Sequence, residues 1–168
     1  MDFATYNRAT RAQEGEWMHV QHPELLRPLY AQDGKRPAVG VVESDKPVRV
    51  LVQGVHSPEL RKMHKVFEDQ VALIRARMGR ANGTGEVRAL QKQMAEAEEK
   101  HGLAMIAAAI KGWENIVFNG EFMPYTEEAK AQIVPHFGQL DCPTEWLAEQ
   151  VAHFSRDRSN FFQKPATD

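Results

Sequence analysis

Seven histidines, one cysteine and a scatter of carboxylates are the residues on which catalysis or metal binding would rest in this 168-residue chain. A zinc site needs three or four converging ligands in suitable geometry. His19 and His22 are neighbours in sequence, but Pro23 and a strand-to-loop setting argue against a shared ion. His56 precedes a helix, and His64 lies beside Met63 on that helix's expected inner face. These spacings match no metal motif, so the histidines read as surface or packing residues and no metal is expected. Cys142 is the single cysteine, which excludes an intrachain disulfide and a Cys-rich zinc site. It stands beside Pro143 near a helix start, a place that lowers thiol pKa, but nothing nearby completes a triad. Asp141, Glu145 and Glu149 read as helix-end and wet-face charges. No catalytic residue and no cofactor are assigned.

Asn82-Gly83-Thr84-Gly85 looks at first like a phosphate loop. The Walker spacing and its lysine are missing, and a helix precedes it instead of a strand, so it reads as a linker. Arg75, Arg77, Arg80 and Arg88 flank that linker, with Glu86, Glu96, Glu98 and Glu99 close by. Without aligned phosphate contacts or stacking aromatics, this is a solvated helix surface able to steer an acidic protein segment. The net charge of -2 gives no general expectation of nucleic acid or an acidic membrane as partner. At 42% hydrophobic and 26% charged, the chain has the material for a core, unlike a wholly disordered one. Its start, Met1-Asp2-Phe3-Ala4-Thr5, lacks the pattern of a secretory signal. No stretch approaches the roughly 20 apolar residues of a membrane span. A soluble cytoplasmic protein is the expectation.

The elements that must position these residues divide the chain. After a polar lead-in over 1–15, Glu16 to Val20 reads as a short strand anchored by Trp17. His22-Pro23, Arg27-Pro28 and Asp33-Gly34 make the next piece irregular. Pro37 to Glu43 and Val48 to Gln53 read as strands around a Ser44-Asp45-Lys46-Pro47 turn. In the latter, Val48, Val50 and Val52 alternate with Arg49, Leu51 and Gln53. Ser57 is a helix cap, with Pro58 at the first helical position and Glu59 in the first turn. Leu60, Met63, Phe67, Val71, Ile74 and Met78 then form an apolar stripe, opposite Arg61, Lys62, Lys65, Glu68, Asp69 and Arg75.

Glu86 to about Ala109 reads as a second long helix, with Val87, Leu90, Met94, Ala97, His101, Ala104 and Ala108 as one stripe. Leu103 to Ile110 is apolar nearly all round, so it belongs in the core or at an interface, and Leu103 to Trp113 reads as central packing. Glu127 to Val134 is a third helix, ending before Pro135. Thr144 caps a fourth, whose apolar face is Trp146, Leu147, Val151 and Phe154. The fold class is therefore α+β: a small amino-terminal antiparallel sheet over residues 1–56 and a helical region over 57–162, packed as one unit. Residues 163–168 form a tail.

Gly112-Trp113-Glu114-Asn115-Ile116 reads as a helix end and tight turn. It is followed by Asn119-Gly120 and by Pro124-Tyr125-Thr126-Glu127-Glu128-Ala129. Asn119-Gly120 suits a turn with positive φ, and Thr126 caps the helix that opens at Glu127. With Trp17, the Val48-Arg49-Val50-Leu51-Val52 strand, the Ser57-Pro58-Glu59-Leu60 helix start and Trp146-Leu147 through Asp157-Arg158-Ser159-Asn160-Phe161, the order of these pieces resembles the tail assembly chaperones of long-tailed bacteriophages. The resemblance covers much of Glu16 to Phe161. The Gln21–Lys35 insertion and the Asn82–Lys100 segment depart from it.

The resemblance implies a protein that is not an enzyme. It would bind the tape measure protein and keep that long helical chain soluble in the host cytoplasm. It would also help recruit tail tube protein and be absent from the finished particle. Homo-oligomerisation is expected, because a long polypeptide needs many covering modules. Phe118, Phe122, Tyr125, Phe161 and Phe162 are the candidate protein-binding residues. Trp17, Trp113, Trp146 and Phe154 are structural or interface residues. For Asn160-Phe161-Phe162, a helix terminus folded back onto the core is the competing reading. Two further functions remain open: a phage regulator that binds a host protein, and a small metal-dependent hydrolase whose histidines converge on folding.

Overall fold

The computed structural model describes residues 12–21, 27–31, 46–118, 121–134 and 145–161; of Phe118, Glu145, Trp146 and Arg158 it describes the backbone alone. Three strands form an antiparallel sheet, β1 (Glu16–His19), β2 (Arg49–Val52) and β3 (Ile110–Glu114), in the order β1-β2-β3. Between β2 and β3 the chain makes a helical hairpin of α1 (Pro58–Met78) and α2 (Thr84–Ala109). A small ribbon follows, β4 (Val117–Phe118) and β5 (Glu121–Phe122), then α3 (Glu127–Ile133), α4 (Glu145–Arg156) and a 3-10 turn over Arg158–Phe161. The α+β class is as the sequence implies.

The sheet is not wholly amino-terminal. Its third strand is Ile110–Glu114, within the stretch read as central packing and a helix end. Pro37–Glu43, expected to be a strand, lies outside the described residues. Strand β2 explains the difference: its far edge needs a second row of hydrogen-bond partners, and β3 supplies them. Gly112, a poor helix former, and the bulky Trp113 suit that extended role. Val52 pairs with Ile110 and Leu51 with Gly112, so Lys111 is an extra residue in a bulge. Without the bulge, strict alternation would put Ile110 and Trp113 on opposite faces; with it, both are buried.

Local signals place the starts of α1 and α3 as expected, while the Thr144 cap expected for α4 lies outside the described residues. Ser57 Oγ accepts the Leu60 N–H at 3.3 Å, and Thr126 Oγ1 accepts the Ala129 N–H at 3.0 Å. Helix α2 starts at Thr84, two residues before the expected Glu86, behind a Gly83 cap that has no side chain to offer. The α1 stripe faces α2, with Leu60, Val71 and Ile74 buried and Met63, Phe67 and Met78 half-buried. Val71, Ile74 and Leu90 are buried apart from the main core, so among the described residues the outer part of the hairpin buries its own two helices against each other.

The main core joins Met18, Val50 and Val52 of the sheet to Leu60, Ile110, Trp113, Ile133, Leu147 and Val151. Leu29 and Ala31, from the irregular piece after β1, complete it; the Leu29 N–H donates to Val20 O, and Leu29 O accepts from Val48 N–H. Gln53, which strict alternation would put on the face opposite the buried valines, is itself fully buried. Its backbone N–H donates to Ala109 O at 2.8 Å, and its Nε2 donates to Ala108 O at 2.7 Å and to Glu59 at 3.2 Å. Its own carbonyl accepts Ser155 Oγ–H from α4 at 2.8 Å. Gly54 follows because a Cβ there would stand 3.1 Å from the Phe161 ring and 3.0 Å from Ala12 Cβ.

Burial separates core from surface on these helices and strands. Ile110→Ala is expected to lower unfolding free energy by about 2–5 kcal/mol, while Leu73→Ala, at a 69% exposed site, stays within about 0.5 kcal/mol. Urea denaturation of both variants is the check.

Candidate functional site

The structure sorts the candidate aromatics into three groups. Phe122 is exposed at 41%, with Lys46 Nζ 5.6 Å from its ring centroid, and Trp17 is exposed at 39% under the Arg49 guanidinium. Arg49 is held there by Glu114 across the sheet, its Nε–H donating to Oε2 at 3.1 Å. Trp113 is core: its indole N–H donates to Met123 O at 2.7 Å, and its ring meets Tyr125 edge-on at 4.8 Å. Phe161 is buried too, edge-on to Phe154 at 5.9 Å. It folds back onto the body, and this removes it from the surface anchors. The side chains of Phe118 and Trp146, and all of Phe162, lie outside the described residues.

Val117 pairs with Phe122 and Phe118 with Glu121, across the Asn119-Gly120 connection, itself outside the described residues. Asn115 sits before this ribbon at φ 58°, its amide Nδ2–H donating to Pro47 O at 2.9 Å. Asparagine tolerates that left-handed conformation better than other side-chain-bearing residues. The turn thus swings the chain out of the sheet and carries Phe122 to the surface.

Tyr125 is half-buried and belongs to a polar cluster. Its OH donates to Glu127 at 2.8 Å, and Lys130 Nζ reaches Glu127 at 2.8 Å, Tyr125 OH at 3.4 Å and Ile110 O at 3.5 Å. Burial, then the Glu127 hydrogen bond, raises the phenol pKa. Burial alone would lower Lys130, but its bonds to Glu127 and Tyr125 outweigh that and leave it raised. The cluster is charged and satisfied, holding α3 against the α2–β3 junction.

Beside it lies a feature the aromatic search did not find. Leu103, Ala104 and Ala107 of α2 face Lys130, Ala131 and Val134 across a groove of about 370 Å³. Residues 103 and 105–108 are only half-buried and Ala104 is exposed, although this stretch is apolar nearly all round. Farther along α2, Ala97, Lys100 and His101 face Met63, Val66 and Phe67 across a second groove of about 570 Å³. Ala97, Lys100, Ala104 and Ala107 share one side of a helix, so the two grooves continue each other along α2. Lys62 and Lys100 stand on the rim without an ion pair to any described residue, whereas Glu59 is paired with Lys111 at 2.8 Å. The sequence signal was there, in small residues at helical spacing that lead into Leu103–Ile110, a stretch with almost no polar face.

Among the described residues, no group of three or more His, Cys, Asp or Glu side chains is placed to hold a metal ion. His19 is engaged with Leu29 O at 2.9 Å and packs on Tyr30. No described helix is long and apolar enough to cross a membrane. Comparison with protein-family models, curated proteins and solved structures finds no match.

His101 lies in the groove beside His64, with Glu59, Glu68, Lys62 and Lys100 as the surrounding charges. Burial, then the nearness of His64, lowers its pKa. A histidine depressed in the folded state binds its proton more readily when unfolded. Its stabilising contribution is therefore complete above the ordinary value of 6.5 and lost as pH falls through the folded value. The urea midpoint is expected to drop between pH 7.5 and pH 5, and His101→Phe, which keeps the stack on Phe67, is expected to shrink that drop.

Proposed function

We propose that this protein is a non-enzymatic tail assembly chaperone that holds an amphipathic helix of the tape measure protein along α2. The observation that carries the reading is the half-open apolar stretch Leu103–Ala108. A run without a polar face needs covering, and the protein's own helices cover only part of it. Alanines at 97, 104 and 107 let a second backbone approach closely, as in helix-in-groove recognition. Lys62 and Lys100, without an ion pair among the described residues, favour an occupant with carboxylates along one edge of its apolar face. The resemblance of the order of sequence elements to that of phage tail chaperones supports the identity of that occupant.

Masking is the role that such binding would serve. A tape measure chain in isolation exposes apolar helix faces, and each groove takes such a face out of water until tube subunits replace the chaperone. Phe122, exposed on the β4–β5 ribbon, offers a second contact for tail tube protein. Self-association along the tape measure extends the coverage.

Co-purification of the full chain with overlapping tape measure segments from the same phage tests the proposal. Helical segments are expected to bind, and Ala104→Arg, at an exposed site, is expected to weaken binding at least about tenfold while circular dichroism stays unchanged. Failure of every tape measure segment to bind, with a single host protein recovered from infected cells instead, would overturn it.

A further inference from the structure

The hairpin brings together two histidines that are 37 residues apart in sequence. His64 Nδ1 of α1 faces His101 Nε2 of α2 at 3.4 Å. That is long for a hydrogen bond between neutral imidazoles, whose N–H donors prefer about 2.9–3.0 Å. It matches the edge of a tetrahedron around zinc: two nitrogens each about 2.0–2.1 Å from the ion stand about 3.3–3.4 Å apart.

The surroundings of both rings fit ligands. His64 Nε2, the nitrogen turned away from His101, lies 3.5 Å from Glu68 Oε1 one helical turn on. Once that gap closes by about 0.5 Å, the carboxylate accepts the far N–H of a metal-bound imidazole, which sets its tautomer and raises its basicity. The His101 ring stacks on Phe67 at 4.0 Å between centroids and 1° between planes, so its orientation is fixed. His64 is 53% exposed, which leaves the point between the two nitrogens open to ions and to water ligands.

We propose that His64 and His101 form a divalent transition-metal clamp across the helical hairpin, with Zn²⁺ as the geometric fit and water completing the coordination. Glu68 is a positioning residue that orients His64. Lys62 and Lys100, both exposed on the groove rim, repel a cation, and the Glu68 carboxylate beside His64 offsets part of that charge. The inference does not rest on the proposed chaperone role. A bound ion would cross-link α1 to α2 near the point where the main core gives out, stabilising the hairpin by mass action.

Titration of the full chain with zinc chloride, followed by calorimetry and thermal unfolding, tests the clamp. One saturable site and a raised Tm are expected, with affinity falling as pH drops through the imidazole range, because only neutral rings bind. His64→Ala and His101→Gln should each abolish the site, and Glu68→Gln should weaken it by about tenfold or more. His64→Ala is an exposed change to the best helix former, so it preserves the fold. No saturable binding, or binding that survives both histidine substitutions, would overturn the proposal.

Discussion

Gln53 is the point at which the elements of the molecule are tied. It follows β2 directly, and from one fully buried residue it reaches the start of α1 through Glu59, the end of α2 through Ala108 and Ala109, and α4 through Ser155. The last carbonyls of α2 have no partner within their own helix, and the chain leaves α2 for β3 without a loop. Gln53 fills that gap twice, with its backbone N–H and with its side-chain amide. A hydrocarbon of the same shape could pack there but would leave the Ala108 carbonyl without this donor.

Around that tie the structure treats apolar surface in two ways. Near the sheet, strand, helix and loop enclose a continuous core. Beyond Met63 and Met105, which pack against it, the helices bury little except each other. The grooves along α2 span this change, so their exposure follows from topology more than from composition. Sheet, α3 and α4 gather at one end of α2, and among the described residues the remainder of that helix has α1 alone.

Where a signal is local, it was legible. Ser57-Pro58-Glu59 and Thr126 mark helix starts because capping is decided within four residues, and the α1 stripe shows because its period is undisturbed. The valines of β2 show through simple alternation. Strand β3 was hidden for two reasons: it follows a helix with no intervening breaker, and its bulge spoils the period of two. Gln53 was misplaced because alternation describes a strand interior, while this residue lies just past the strand, where helix ends need donors. Pairing of His64 with His101 is set by the length and register of a hairpin turn, which no spacing within either helix displays. Phe161 was read both ways, and the Gly54 contact that decides its burial joins distant parts of the chain.

The hairpin has a mechanical consequence. Helix α1 has 21 residues, which makes it about 31 Å long, and the α1–α2 turn at Gly79–Gly83 lies at the end remote from the sheet. A rotation of 10° at its root would carry that tip through about 5 Å, roughly one helical turn. Forces applied at the tip would be felt at the root as torque on a joint made of Gln53, Glu59 and Lys111. The molecule is a short lever whose fulcrum is polar and whose arm is greased with methionine and alanine.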